Sequence, residues 1–446
     1  MAKLMTPYLF TWQEVEARSD LERLRLVLDH IGDEELVSKL EEHRKWGRNE
    51  YPIRPVWNSV LAGIVYQHLS VDSLRRELSR NGQLRDQCGF NPQKGSGAVP
   101  PSWVYTRFLK LLFKFKREVD AMFDHLVDEL KGLLPDLGLS VAVDSKGVDS
   151  AGRPTKEKQR DGRRDMGADW GKKAYHGQRE DGTLWEKVVT WFGYKIHLLV
   201  DTKYEMPISY QVTKASASDT KHLLPLVEEV KEKHLEIYRD IDRAAADKGY
   251  DSEENCRRLY DEHGIKPLID IRRMGRDKET RLLDPGCADN IVYDEVGTVY
   301  CVCPKTGEQR PMAYGGFEKD RMVLKYICPA RAYGLTCSGI PECGHAMKSE
   351  RISLEIDRRI FTPVARSSYV WERDYKKRTA VERVNSRLDV SFGFERHFIR
   401  GQKKMEIRVG LALCVMLAMA VGRIKEKRQE LMRSLVKSPV PLDKAA

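Results

Sequence analysis

Residues 139–147, LSVAVDSKG, are where this chain changes character. Upstream, apolar residues recur at helical spacing. Here they form a short continuous run that ends on charge, as a buried strand does. The change continues downstream. VVTWFGYKIHLLVDT (188–202) reads as a strand and MPISYQVT (206–213) as its hairpin partner. TKHLLPLVEEVKEKH (220–234) is an amphipathic helix, and IDRAAADKGYD (241–251) is a strand ending on a turn. SEENCRRLYDEH (252–263) is a helix capped by Ser252, and KPLIDI (266–271) is another strand. The order β, β-hairpin, α, β, α, β predicts an α/β domain, a mixed sheet covered by helices. Between the first two strands, 149–182 reads as a long charged loop.

Outward from this core the patterns differ. Residues 14–45 and 54–90 carry helical spacing, with Asp72 placed to cap the short helix DSLRRELSR. A Gly/Pro/Ser linker (91–102) leads to one long helix over 105–134, basic and aromatic first, acidic and apolar later. An all-α N-terminal domain over 1–134 follows. It suits DNA binding of helix-turn-helix kind, or a plain helical interaction domain. The first part of the α/β domain spans 135–271. From 272 to 370 short strands alternate with turns, a β-rich insertion. The α/β domain resumes over 371–435, and 436–446 is a tail. The apolar run Val409–Val421 has 13 residues between Arg408 and Arg423. A bilayer needs about 20, so the run predicts a buried helix and no membrane partner.

The 446 residues carry 77 Lys/Arg against 67 Asp/Glu, a net charge of +10. The excess is local. Pro52–Arg117 holds eleven basic against three acidic residues, and Arg366–Arg408 twelve against six. Two basic segments point to a polyanion, most simply DNA. The N-terminus turns acidic early and has no apolar core, so it does not read as a signal peptide. Nine cysteines without such a signal imply a reducing, cytoplasmic setting.

Three carboxylates stand out. Asp144 ends the first strand and Asp247 ends a later one. Glu382 lies on the basic stretch YKKRTAVERVNSRLD (375–389). In that stretch Tyr375, Arg378, Glu382 and Asn385 recur at steps of three, four and three, which places them on one helix face. Taken singly, a strand-terminal Asp is a cap or turn residue, and a Glu on a charged helix is solvated. Taken together they are three acids where α/β sheets place ligands. Neighbouring carboxylates repel, and divalent cations with oxygen ligands relieve that. Two such ions form the clamp for in-line phosphoryl displacement.

At these residues a resemblance emerges. VAVDSKG, AAADKGYD and YKKRTAVERVNSRL resemble the three catalytic segments of DDE insertion-sequence transposases of cut-and-paste type. GYKIHLLVDTKYEMPISYQVTKASASDTKHLLPLVEEV resembles their ribonuclease-H-like core. The run from VYQHLSVDSLRREL to GF, then VPPSWVYTRF, is also similar. The likeness spans roughly 54–420, and the subgroup with a β-rich insertion before the Glu fits best. It implies a ribonuclease-H-like fold in which Asp144, Asp247 and Glu382 bind two Mg²⁺ or Mn²⁺ ions. It implies hydrolysis at the transposon end, then attack of the freed 3′-OH on target DNA. Double-stranded DNA would be the partner, a homodimer the assembly on it, and the nucleoid the location. The family signature is Tyr, two residues, Arg, three residues, Glu, six residues, Lys. Tyr375, Arg378 and Glu382 match it, and Tyr375 and Arg378 would touch phosphates beside the cut. Asp389 stands at the Lys position, a departure, with Arg383 and Arg387 as replacement cations.

Lys195 and His197 alternate along one strand face that points at DNA or at solvent. In the insertion, Cys301, Cys303, Cys328, Cys337 and Cys343, with His345 beside them, are candidate structural zinc ligands. Their gaps do not match a paired CxxC pattern, and reduced structural cysteines are the other reading. Two further functional readings stay open. One is a DNA-binding protein with a catalytically dead or domesticated core. The other is a metal-dependent nuclease without strand transfer.

Overall fold

A computed structural model describes residues 20–44, 50–152, 154, 165–178, 183–272, 280–283, 290–344 and 346–435. The described residues begin with helices α1 (Asp20–His30), α2 (Glu34–Arg44), α3 (Ile53–Val65), α4 (Val71–Arg80), α5 (Gly82–Cys88), α6 (Ser102–Leu112) and α7 (Lys116–Leu133). Two local details differ from what the sequence predicts. Helix α4 is capped by Ser70, whose hydroxyl accepts from the Ser73 amide in a reciprocal capping box, so Asp72 lies inside the first turn. The long helix over 105–134 is two helices, α6 and α7, joined by a tight 3₁₀ turn at Phe113–Phe115.

The sheet is built from β1 (Ser140–Asp149), β2 (Asp169–Gln178), β3 (Leu184–Asp201), β4 (Pro207–Lys214), β5 (Arg243–Ala246) and β6 (Lys266–Ile269). Strand β3 runs antiparallel between β1 and β4, while β5 lies parallel to β1 and β6 parallel to β5. Helices α8 (Leu223–Lys233) and α9 (Leu235–Asp240) carry the chain from β4 to β5, and α10 (Glu253–Asp261) from β5 to β6. This spatial order, β4–β3–β1–β5–β6, is the ribonuclease-H-like mixed sheet that the resemblance implies.

The charged segment 149–182 is not loop throughout. It contains β2, which pairs with Leu184–Gly193 of β3 as a two-stranded arm. Its residues Trp170, Lys172, Lys173 and Ala174 are exposed, so no apolar alternation marks it. The arm is seated by Trp191. A Cβ on Gly147 would come within 2.7 Å of that ring, and one on Gly171 within 2.4 Å.

The insertion forms two small antiparallel sheets. One holds β7 (Arg281–Leu282), β8 (Ile291–Tyr293), β9 (Val299–Val302) and β10 (Gln309–Pro311). The other holds β11 (Ala313–Glu318), β12 (Val323–Ile327) and β13 (Ser349–Ser353), with the short helix α11 (Pro329–Tyr333) between the last two. They enclose their own apolar core, including Ile291, Val299, Leu324, Tyr326, Ile352 and Phe361. The chain then returns through α12 (Tyr369–Tyr375), α13 (Thr379–Phe392) and α14 (Gln402–Lys425).

Helix α14 ties the layers together. It packs against α7, α1 and β4. The apolar run seen in sequence is the middle of a 24-residue helix. By length and composition that helix could cross a membrane, so shortness is not the reason to place it inside. The reason is that 89% of its most apolar 18-residue window is buried against protein. Leu413, Val415, Met416 and Leu417 are fully buried, each worth about 1.5–3 kcal/mol of apolar transfer. The N-terminal helices and the sheet therefore share one continuous core.

Candidate active site

The register of the parallel ladder builds the site. Val143 on β1 pairs with Ala246, the last residue of β5. One step further, Asp144 and Asp247 come next to each other. Asp144 is not at the end of its strand, because β1 continues against β3 to Asp149. What ends there is β5, so Asp144 faces the opening that the shorter strand leaves. Asp247 also caps a turn: its Oδ1 accepts from the Gly249 amide at 2.8 Å.

Burial, and then the charge of Asp247, push the Asp144 carboxyl up to about 6. Lys173 from the arm, the Ser145 amide at 2.8 Å and Arg378 pull the other way without cancelling this. Two neighbouring carboxylates, one of them held toward its protonated form, suit a shared divalent cation, so the Asp144–Asp247 donor set fits Mg²⁺ or Mn²⁺.

The third acid comes from the Glu-bearing segment, which is not one helix. Helix α12 passes through a 3₁₀ turn, Lys376–Arg378, before α13 begins. Tyr375 stacks on Trp371 with ring centroids 4.5 Å apart, and the Arg378 guanidinium lies 5.7 Å from the Tyr375 ring centre. Arg378 donates to Glu382 Oε1 at 2.7 Å. Burial weakens the hold of Arg378 on its proton, but Tyr375, Glu382 and Asp144 more than restore it. The guanidinium thus lies in the field of both Glu382 and Asp144. Among the described residues, no three His, Cys, Asp or Glu side chains stand close enough to hold one ion. The acids are arranged as a pair plus one, with Glu382 held by Arg378. Two buried polar atoms in this region have no hydrogen-bond partner, Arg378 Nε and Asn385 Oδ1.

A buried anchor fixes the segment. Asp374, at the end of α12, pairs with Arg243 of β5, with Arg373 at 3.0 Å and with Lys377 at 2.9 Å. Burial alone would raise its carboxyl, but these partners hold it down at about 2.

Other residues singled out in sequence are placed elsewhere. Arg383 and Arg387 are not brought to the acids. They turn to the buried Glu205, Arg383 at 2.6 Å, where Arg433 joins them at 3.2 Å. Their charge is spent on an internal partner. Lys195 donates to Asp219 at 2.9 Å and to the Ala217 carbonyl at 2.8 Å. His197 is buried, stacked on His222 and bonded to Thr213 at 2.9 Å, and burial followed by His222 pushes its pKa down to about 3.

Two residues were missed. Lys146, two residues beyond Asp144 on the same strand face, pairs with Asp389. The signature position has lost its Lys, and an ammonium arrives there from β1 instead. Asp219 also approaches the site: a Cβ on Gly249 would lie 2.8 Å from Asp247 Oδ1 and 3.6 Å from Asp219 Oδ2. The charge at Lys146 was legible in VAVDSKG, but nothing in the linear order linked it to Asp389.

In the insertion, Cys301, Cys303, Cys328, Cys337 and Cys343 line one cavity of about 30 Å³, and all five are free thiols. His345 lies outside the described residues.

The family described as "Transposase DDE domain" matches residues 139–418, more than half of the chain. The chain belongs to this transposase family. No curated protein sequence matches it. Among solved structures, a piggyBac transposase synaptic complex with hairpin DNA aligns with a TM-score of 0.36 at 12% identity, over 94% of this chain and 79% of that one. Membership implies transposition as the activity and a divalent metal ion as the usual cofactor of the family. The matched span runs from just before β1 into α14 and so includes Asp144, Asp247 and Glu382.

Proposed function

We propose that this chain is the transposase of a bacterial-type insertion sequence. It binds the transposon ends, hydrolyses a phosphodiester there and transfers the freed 3′-OH to target DNA. The observation that carries the reading is the β1–β5 register, which sets Asp144 beside Asp247 inside a transposase domain.

In this reading Asp144 and Asp247 hold the metal, and Glu382 completes the set once Arg378 turns to a DNA phosphate. Held by these carboxylates, Mg²⁺ or Mn²⁺ would supply Lewis-acid activation for phosphoryl displacement. The chain's own residues do the rest. Arg378 offers a planar fork that matches two phosphate oxygens. Tyr375, stiffened by its stack on Trp371, presents its hydroxyl to the backbone beside the cut. Its pKa is pushed up to about 12, chiefly by burial, so it stays a neutral donor. Lys146 supplies the cation at the position where Asp389 departs from the signature. Lys195, Arg383 and Arg387 are held by Asp219 and Glu205, so direct DNA contact by them requires those pairs to open. The expected partners are double-stranded transposon ends and target DNA, the assembly on them a homodimer, and the setting the cytoplasmic nucleoid, away from membranes.

The test uses purified protein with a plasmid carrying the DNA that flanks its gene, in Mg²⁺, beside the Glu382→Ala protein. Metal-dependent cuts at the element's ends that vanish in the variant support the reading. Binding to those ends without cutting, in Mg²⁺ and in Mn²⁺, overturns it in favour of a DNA-binding protein with an inactive core.

A further inference from the structure

The outer part of the insertion, described over 331–344 and 346–347, has no core of its own. Among its described residues, only Cys337, Gly339, Cys343 and Ala346 are turned inward. Tyr333, Leu335 and Ile340 are left 62%, 45% and 42% exposed. Fixing a backbone costs about 1–2 kcal/mol per residue, and this loop buries too little apolar surface to offset that. Something else must hold it.

What the loop presents inward is sulfur. Cys337 and Cys343 face Cys303, in the turn after β9, and Cys328, at the start of α11. Local turns fold around them: the Ile340 amide bonds the Cys337 carbonyl, and the Ala346 amide bonds the Cys343 carbonyl. Gly339 packs so tightly that a Cβ there would stand 2.7 Å from Cys303 Sγ. Asn290 reaches Cys343 Sγ at 3.4 Å and Cys301 Sγ at 3.7 Å. Donors aimed at sulfur are what a thiolate metal ligand needs around it.

We propose that Cys303, Cys328, Cys337 and Cys343 bind one structural zinc ion, which fastens the 331–347 loop to the sheet that carries β9. Four thiolates from turns rather than strands suit tetrahedral zinc, while Mg²⁺ and Mn²⁺ prefer oxygen. Cys301 is the wall of the site, not a ligand. It sits inside the β9 ladder, paired with Ile291 and Arg310, whereas the four proposed ligands lie outside the strands. As placed, no three of these sulfurs share one point, so the proposal includes an inward shift of the exposed residues around Cys337 and Cys343 when the ion binds. The ion replaces a core that the loop lacks, so binding energy becomes folding energy there. The inference does not depend on the transposase reading.

The test is zinc content of the full-length protein by mass spectrometry, with Co²⁺ reconstitution as the second readout. The expected result is about one zinc per chain. It should be lost in each of C303S, C328S, C337S and C343S and kept in C301S. Stripping the metal should open Arg331 and Lys348 to trypsin. If a serine variant fails to fold, the wild type decides: stripped protein must take up one Co²⁺ with a thiolate-to-cobalt absorption band. A folded wild type that holds no zinc, zinc that survives C337S, or a cobalt spectrum without thiolate character would overturn the proposal.

Discussion

Asp144→Asn should abolish DNA cutting and yet make the metal-free protein more stable. The carboxyl of Asp144 is held near 6 instead of its ordinary 3.8, by burial and by Asp247. An acid whose proton is held more tightly in the folded state destabilises that state once it ionises. The loss begins as pH rises past 3.8 and is complete above about 6. At about 1.4 kcal/mol per tenfold in proton affinity, it approaches 3 kcal/mol at neutral pH. Relaxation around a side chain that is still partly solvent-accessible brings the expected gain to about 1–3 kcal/mol. Asparagine keeps the oxygen that accepts from the Ser145 amide and removes the charge. The assay is urea unfolding in chelator at about pH 8 and about pH 4, where the linkage is switched on and nearly off. The variant should be more stable at the higher pH, and the two proteins should converge at the lower. Mg²⁺ should then stabilise the wild type far more than the variant, because only the wild type keeps the pair of carboxylates. A variant no more stable than wild type in chelator at the higher pH would refute the reasoning.

Lys146→Ala leaves Asp389 as an unopposed anion near the acids and should slow end cleavage by about tenfold or more. Adding Asp389→Lys to it should restore much of the rate in a double-mutant cycle. Glu205→Ala strips Arg383, Arg387 and Arg433 of their shared partner and should cost about 3–5 kcal/mol in denaturant melts. A loss below about 1 kcal/mol would mean that those arginines are not committed there. Asp374→Asn should destabilise the protein at neutral pH, since a carboxyl held at about 2 stabilises the fold above its unfolded value of 3.8. That advantage is lost as pH falls through about 2, so the gap between wild type and variant in acid titrations should close over that window.

The fold was legible where burial imposes a period. Val141–Val143, GYKIHLLVDT and KPLIDI are largely buried and read as strands; TKHLLPLVEEVKEKH is buried on one side and read as a helix. The arm strand Asp169–Gln178 was not legible, because its outward side chains meet solvent and leave no apolar alternation. Nor was the joint at Lys376–Arg378, where three residues wind more tightly than an α-helix without any Pro or Gly to signal it. Arg378 and Glu382 are four residues apart on a helical segment, and local spacing alone puts them in reach of one another.

Order along the chain thus specifies most of the strands and helices and the acids at or beside three of them. It says nothing about which charge meets which across the fold. Lys146 and Asp389 are 243 residues apart, and Arg387 and Glu205 are 182 apart. An ion pair acts over a few ångströms, a distance set by strand register and helix packing and invisible in sequence separation. The parallel ladder made Asp144 and Asp247 neighbours, and burial together with Asp247 raised the Asp144 carboxyl. Packing against β4 and α7, and not length, placed the most apolar helix inside the protein.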